Sequence, residues 1–263
     1  MNVLITGAVG GLGRAMAVEC AKRGYRLYLT DVNPEGLKQI QTGLQRQFGA
    51  AVEAMTCDLT KPAGIDDLFL AWDGVPFDML LNIAGLDYEG GFLSRDQEQV
   101  VKIVALNDEG TLRMTHAALQ HRRADAPFTV VFVSSLASMF PMPLKATYAA
   151  SKRFLLDFAV SLRQELKGQN VHVLALCPGG MVTNDTVAQA IWAQGFWGDA
   201  TTNSLEVLVR KTLDKALKGD AVYVPGAINK TLAFLGRCIP RRIVAAVVYQ
   251  RWTAAQKKWM TAA

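Results

Sequence analysis

Short apolar runs alternate with longer segments of helical spacing along the first 225 residues, and few folds accommodate that rhythm. The runs are Asn2–Thr6, Arg26–Thr30, Ala51–Thr56, Met79–Asn82, Phe128–Ser134, Val171–Cys177 and Ala221–Val224. Most are rich in Val, Leu and Ile without polar alternation, as expected of strands covered on both faces. Between them Leu12–Arg23, Pro34–Phe48, Pro62–Trp72, Asp96–His121, Tyr148–Leu166 and Ser204–Leu217 carry helical patterns. Pro34 and Pro62 sit near helix starts, and Gly24 and Gly168 follow helix ends. The alternation predicts an α/β architecture, a doubly wound parallel sheet of about seven strands flanked by helices. Residues 1–225 form one domain in this reading, and 226–263 a basic helical extension that is not an independent domain.

Composition removes several alternatives. Hydrophobic residues make up 51% of the chain and charged residues 19%, which supports a sizeable core and excludes a disordered chain. The longest unbroken apolar runs, such as Ile243–Tyr249, fall far short of the roughly 20 residues a spanning helix needs. Cys20, Cys57, Cys177 and Cys238 form no CxxC pair, and His116, His121 and His172 are scattered, so no metal site is expected. His172, at a strand start, reads as structural. No basic region precedes the first strand-like run, so no leader is expected and a reducing, cytoplasmic setting is the default.

The first strand runs straight into Thr6-Gly7-Ala8-Val9-Gly10-Gly11-Leu12-Gly13 and then a helix. Glycines let a backbone turn tightly and approach a pyrophosphate, and the helix start offers free N–H groups and a positive dipole end. A Gly-rich turn alone is weak evidence. In this strand–turn–helix context it points to a dinucleotide. Asp31, at the end of the second strand, can accept both ribose hydroxyls and would repel a 2′-phosphate, which favours NAD over NADP. It could instead cap the helix at Pro34. Arg14, inside the helix start, is the residue that could still meet a phosphate.

Tyr148 and Lys152 stand four apart on one predicted helix face. An ammonium about 5 Å from the phenol is worth roughly 3 kcal/mol at an effective dielectric near 20. That predicts a phenol lowered by roughly two units from its usual value near 10, able to work as an acid or base near neutral pH. Ser135 ends the fifth strand, on the side of such sheets that faces a ligand crevice, with Ser134 as the alternative.

With these residues in order, the chain resembles the short-chain dehydrogenase/reductase family, in its compact single-domain branch with a Rossmann-type sheet, over about residues 1–225. The Thr6–Gly13 turn matches the family's cofactor motif. Asp58-Leu59 matches its adenine-contacting segment, and Asn82-Ile83-Ala84-Gly85 its Asn-Asn-Ala-Gly motif except at Ile83. Asn107, followed by Gly110, falls where the family has a helix Asn. Pro178-Gly179-Gly180-Met181-Val182-Thr183 matches the segment after strand six. The resemblance implies an oxidoreductase passing a hydride between NAD(H) and a secondary alcohol or ketone. It gives Tyr148 as proton carrier, Ser135 as holder of the substrate oxygen, Lys152 as partner of Tyr148 and of the nicotinamide ribose, and Asn107 as holder of a water. Gly7, Gly11, Leu12, Gly13, Asp31, Asp58, Leu59, Asn82, Ala84, Gly85, Tyr148, Lys152, Pro178, Gly179 and Thr183 would bind the cofactor. A non-catalytic NAD(H)-binding sensor of the same fold is the alternative, and the intact Ser135–Tyr148–Lys152 set argues against it.

The stretch after Thr183 covers the substrate in that family. Trp192, Phe196 and Trp197 would make an apolar lid here, implying a steroid-like or acyl-chain substrate, unless they only pack the lid down. The chain's +5 net charge belongs to one end. Residues 1–225 carry 21 basic and 23 acidic groups, whereas from Gly226 there are seven basic residues and no acid. Val244, Val248, Trp252, Ala255 and Trp259 form one helical stripe. The stripe is expected to pack against the body near the substrate entrance or against a second subunit in a homo-oligomer. Peripheral contact with a membrane through 226–263 is the competing reading, and no nucleic acid is expected.

Overall fold

The computed structural model describes residues 1–123, 125–183, 189, 191 and 196–262, except the side chains of 196, 197, 199, 237 and 255–262. Seven parallel strands form one sheet: β1 (Asn2–Thr6), β2 (Arg26–Asp31), β3 (Val52–Thr56), β4 (Met79–Asn82), β5 (Phe128–Val133), β6 (Val171–Leu176) and β7 (Val222–Tyr223), in the order β3-β2-β1-β4-β5-β6-β7. Strand order reverses between β1 and β4. The carboxyl ends of those two strands therefore border the crevice where ligands of such sheets bind.

Alternate strand residues face opposite layers. Val3 and Ile5 join the layer formed with α1 (Gly11–Lys22), α2 (Pro34–Phe48) and a later helix at Leu205–Leu217; Leu4 joins the other, formed with α3 (Pro62–Ala71), a helix at Thr111–Gln120 and a long helix at Ala146–Glu165. Every residue of β4 and β5 is buried, which is why these strands lack alternation. Local chemistry sets the helix limits. Asn33 caps α2, its Oδ1 accepting from Gly36 N at 2.9 Å, Pro34 supplies the first turn, and Gly49 closes it in the left-handed region at φ 61°.

The segment read as one helix over Asp96–His121 is three pieces: α4 (Gln97–Val104), a π-helical turn (Ala105–Gly110) and α5 (Thr111–Gln120). The wide turn carries Asn107, fully buried, and such turns concentrate at functional sites. The long helix is α6 (Ala146–Glu165), followed by α7 (Phe196–Thr201) and α8 (Leu205–Leu217). The tail is two helices, α9 (Ala227–Cys238) and α10 (Arg241–Ala262), parted at Pro240, whose missing N–H ends the first. Among the described residues no helix is long and apolar enough to cross a membrane, and no group of three His, Cys, Asp or Glu could hold a metal.

Candidate active site

Four strand ends meet at the crevice. After β1 the Gly7 backbone takes φ +64°, and a Cβ on Gly13 would lie 2.0 Å from the Gly7 carbonyl oxygen. Only glycine allows that crossing. α1 opens at Gly11 with no side chain capping its first turn, so its N–H groups remain available to an anion. Thr183 lies against Gly11 from across the crevice. Leu12 is buried in the core behind the turn. Asp31 ends β2, with Oδ2 accepting from Val9 N at 3.0 Å and Oδ1 from Asn33 N at 3.1 Å. It is thus tied to the Gly-rich turn, and the cap of α2 is Asn33. Arg14 is exposed and lines, with Gly11 and Thr183, a cavity of about 620 Å³ running between α1 and α8. The uncapped helix start, the glycine crossing and the nearby carboxylate fit the pyrophosphate and ribose of a dinucleotide.

The neighbouring segments brace this cradle. Thr6 Oγ1 accepts from both Ile83 N and Ala84 N, at 3.1 and 3.2 Å, joining the ends of β1 and β4. Asn82 is buried, its Nδ2 donating to Thr115 Oγ1 at 2.9 Å. Asp58 accepts from Thr60 N at 3.0 Å and Thr60 Oγ1 at 2.7 Å. Partial burial pushes its carboxyl up, but those bonds outweigh it and hold the group below the usual range. Leu59 beside it is buried. After β6, Pro178 O accepts from Leu136 N at 2.7 Å, and Gly179 N donates to Asn203 Oδ1 at 3.1 Å. Asn229, buried on α9, reaches the same Asn203 Oδ1 at 3.5 Å and donates to Pro225 O at 2.8 Å and Thr201 O at 3.1 Å. Neither Asn203 nor Asn229 carries a sequence signal, because the Asn203–Gly179 and Asn229–Thr201 bonds join segments distant in sequence.

Ser135, Tyr148 and Lys152 come together at the end of β5. The Ser135 hydroxyl accepts from Ala137 N at 3.1 Å at the start of the turn after β5, and the half-buried Tyr148 stands at the start of α6. Ser134 instead is buried and donates to the Lys152 carbonyl at 2.7 Å, pinning α6 to β5. The alternative serine is thereby a structural residue. Lys152 is buried, its Nζ donating to Val133 O at 2.9 Å and lying 5.7 Å from the centre of the Tyr148 ring. Burial pushes it down to about 8, against opposing pulls from Asp108, Asp87 and Cys177. Asn107 accepts from Leu86 N at 2.8 Å and donates to Leu86 O and Ser151 Oγ, both at 3.0 Å, clasping the loop after β4 to α6.

The protonation of Tyr148 differs from the expectation. Burial and the Asp87 carboxylate push the phenol above its ordinary range, opposed by the Ser135 hydroxyl and by Lys145. Asp108, on the π-helical turn, is pushed up to about 6 by burial, with Lys152 opposing. Lys145, Asp87 and Asp108 are site residues with no motif to announce them.

Trp192 lies outside the described residues. Phe196 and Trp197 open α7, and their side chains also lie outside them. The tail takes a place at the site: Val248 and Trp252 of α10 pack with Tyr148 against Ala137, Met142 and Ala149.

Residues 1–193 match the family model for short chain dehydrogenases. The chain belongs to the short-chain dehydrogenase family. It is an oxidoreductase of that family with its Rossmann-type sheet. Human 17-beta-hydroxysteroid dehydrogenase type 3 is 30% identical over 183 residues, 68% of this chain and 59% of that protein. The very-long-chain 3-oxoacyl-CoA reductase of Laccaria bicolor is 26% identical over 174 residues, 65% of this chain and 52% of its own length. The chain therefore spans little more than half the length of these two relatives. A solved short-chain dehydrogenase from Sphingobium yanoikuyae in complex with NADPH superposes with a TM-score of 0.73 at 25% identity, covering 86% of this chain and 88% of that one.

Proposed function

We propose that this short-chain dehydrogenase interconverts a secondary alcohol and a ketone on an apolar, steroid-like or acyl-chain substrate, with NAD(H) in preference to NADP(H). The observation that carries the reading is Lys152, buried and bonded to Val133 O at the carboxyl end of β5, with its Nζ 5.7 Å from the centre of the Tyr148 ring. Gly7, Gly11, Leu12 and Gly13 hold the pyrophosphate at the start of α1. Asp31 takes the adenosine ribose hydroxyls, and Asp58 and Leu59 flank the adenine. Asn82, Ala84 and Gly85 line the crevice, while Pro178, Gly179 and Thr183 hold the nicotinamide end. When bound, the nicotinamide donates or accepts the hydride.

Tyr148 gives a proton to the ketone oxygen during reduction and takes it from the hydroxyl during oxidation. Ser135 donates to or accepts from the same oxygen and fixes its distance from the phenol. Lys152 supplies positive charge behind Tyr148 and binds the nicotinamide ribose. Asn107, its amide clasping Leu86 and Ser151 beside Lys152, holds the water that links Lys152 to solvent in this reading. Asp31 favours NAD because its carboxylate sits at the Gly-rich turn, where a 2′-phosphate would meet like charge.

An apolar substrate is supported by the Trp252 and Val248 packing beside Tyr148, and by the names of the steroid and acyl-CoA relatives. On the outer face of the tail, Phe234, Ile239, Ile243 and Val247 are exposed beside Lys230, Arg241 and Arg242. That surface suits a second copy of the chain in a homo-oligomer, and it equally suits an anionic bilayer met from a cytoplasmic position. NADH turnover over a panel of bulky ketones, with a cofactor-binding titration, tests the reading. Turnover is expected on at least one steroid or aryl ketone; cofactor binding with no turnover across the panel would point to a sensor.

A further inference from the structure

The loop from β4 and the far end of the chain converge on one lysine beside the reacting phenol. Leu144 adopts φ +67°, a left-handed conformation uncommon for a branched residue, and its carbonyl accepts from Gly90 N at 2.8 Å. That turn delivers Lys145 to the start of α6, with a side chain only 16% exposed. Its Nζ lies 5.8 Å from the centre of the Tyr148 ring and 5.3 Å from the centre of the Trp252 ring, inside the range of a cation–π contact with each. Asp87 pairs with the ammonium, and Glu89 lies 3.3 Å away. Burial opposes the charge, but these carboxylates hold Lys145 above the usual lysine range, so it is a cation at every pH of interest.

We propose, on the reading that Tyr148 carries the proton, that Lys145 is a positioning residue: clamped between the Tyr148 and Trp252 rings, it sets the charge around the phenol and makes that charge depend on the seating of α10. The ionisable groups around the phenol fall into few elements. The loop after β4 presents Asp87 and Glu89, α6 presents Lys145 and Lys152, and Asp108 acts from the π-helical turn through Lys152. α10 presents the Trp252 ring. Lys145 opposes the upward push of burial and Asp87 on Tyr148. Trp252 covers the ammonium on its other side, and a covered cation acts through a lower dielectric than a solvated one. A substrate that lifts or seats α10 would thus alter the acid–base balance of the phenol it reacts with.

The test is the pH dependence of kcat/KM for oxidation by NAD of 1-phenyl-1-propanol, or of whichever bulky secondary alcohol wild type oxidises fastest. Oxidation needs the phenolate, so the rate climbs through a limb belonging to Tyr148 and its coupled Lys152. Lys145→Met should move that limb up by about one unit, leaving kcat/KM about tenfold lower below it and near wild type above it. Lys145→Arg should restore the limb, and Trp252→Leu should move it the same way by less. A Lys145→Met limb that coincides with wild type, or a loss of the same factor at every pH, overturns the proposal. An unmoved Trp252→Leu limb overturns the dependence on α10, and this variant decides the matter if Lys145→Met does not fold. Tyr148→Phe in parallel separates the two levels. If it stays active, the proton-carrier reading fails; if it is inactive while the Lys145→Met limb stays put, only the clamp fails.

Discussion

Gly85 and Lys152 stand so close that a Cβ on Gly85 would lie 3.1 Å from Lys152 Nζ and 3.2 Å from Asn107 Oδ1. Both neighbours are buried and hydrogen-bonded, Lys152 to Val133 and Asn107 to Leu86 and Ser151. The last residue of the Asn82–Gly85 segment is therefore the space into which the lysine fits. Gly85→Ala should displace Lys152 by a few tenths of an ångström, lowering kcat about tenfold and stability by about 1–3 kcal/mol. Steady-state kinetics and a thermal melt measure both. Wild-type kcat in the variant would mean that Lys152 has slack there.

Asp31 is expected to exclude the 2′-phosphate. Wild type should show a higher kcat/KM with NADH than with NADPH, and Asp31→Ala should narrow the ratio by about tenfold or more, the scale of losing charge repulsion and a ribose hydrogen bond. A native preference for NADPH would refute the assignment and turn attention to Arg14.

Asp108 gives a pH-dependent stability with a definite sign. Its carboxyl is raised to about 6 in the fold, against about 3.9 in an unfolded chain. Its favourable contribution is complete below the unfolded value and is lost as pH rises through about 6. Asp108→Asn should therefore raise the Tm near pH 8 and leave it unchanged below about pH 4, a gain of about 1 kcal/mol after discounting for partial exposure. Melting curves at the two pH values decide it. An equal change at both would mean that the side chain's charge is not the cause.

Much of this site is written locally. The Thr6–Gly13 turn, the Tyr148–Lys152 spacing and Ser135 at a strand end are short segments whose chemistry needs those residue types side by side, so strand–helix alternation suffices to place them. The π-helical turn escaped because Asp96–His121 keeps helical periodicity across it, and one extra residue in a turn leaves no compositional mark. The direction of the Tyr148 shift escaped because i,i+4 spacing fixes which face Lys152 occupies but neither the burial of the phenol nor the approach of Asp87 from the loop after β4. The Lys145–Trp252 contact escaped because it joins distant parts of the chain, and only the folded tail brings them together.

The tail should prove part of the enzyme. Asn229 donates to Thr201 O and Pro225 O, Ala233 is buried in the core, and Val248 and Trp252 pack beside Tyr148. Truncation after Gly226 should lower the Tm by about 5 °C or more, given several exposed apolar partners, and abolish most activity. Melting temperature, oligomer mass and sedimentation with anionic liposomes are measured on both proteins. An unchanged melt and oligomer with lost liposome binding would mark the tail as a membrane device alone, whereas a changed oligomer mass would place a second copy on its outer face.

The central claim is that Tyr148 carries the proton while the crevice holds the cofactor independently. Tyr148→Phe keeps the ring that packs with Trp252 and Val248 and removes only the hydroxyl. The decisive measurement is turnover of NADH with a verified ketone, alongside NADH binding by fluorescence titration, in wild type and Tyr148→Phe. In Tyr148→Phe, kcat should fall about 10²–10⁴-fold with NADH affinity unchanged. Near-normal turnover in the variant would contradict it.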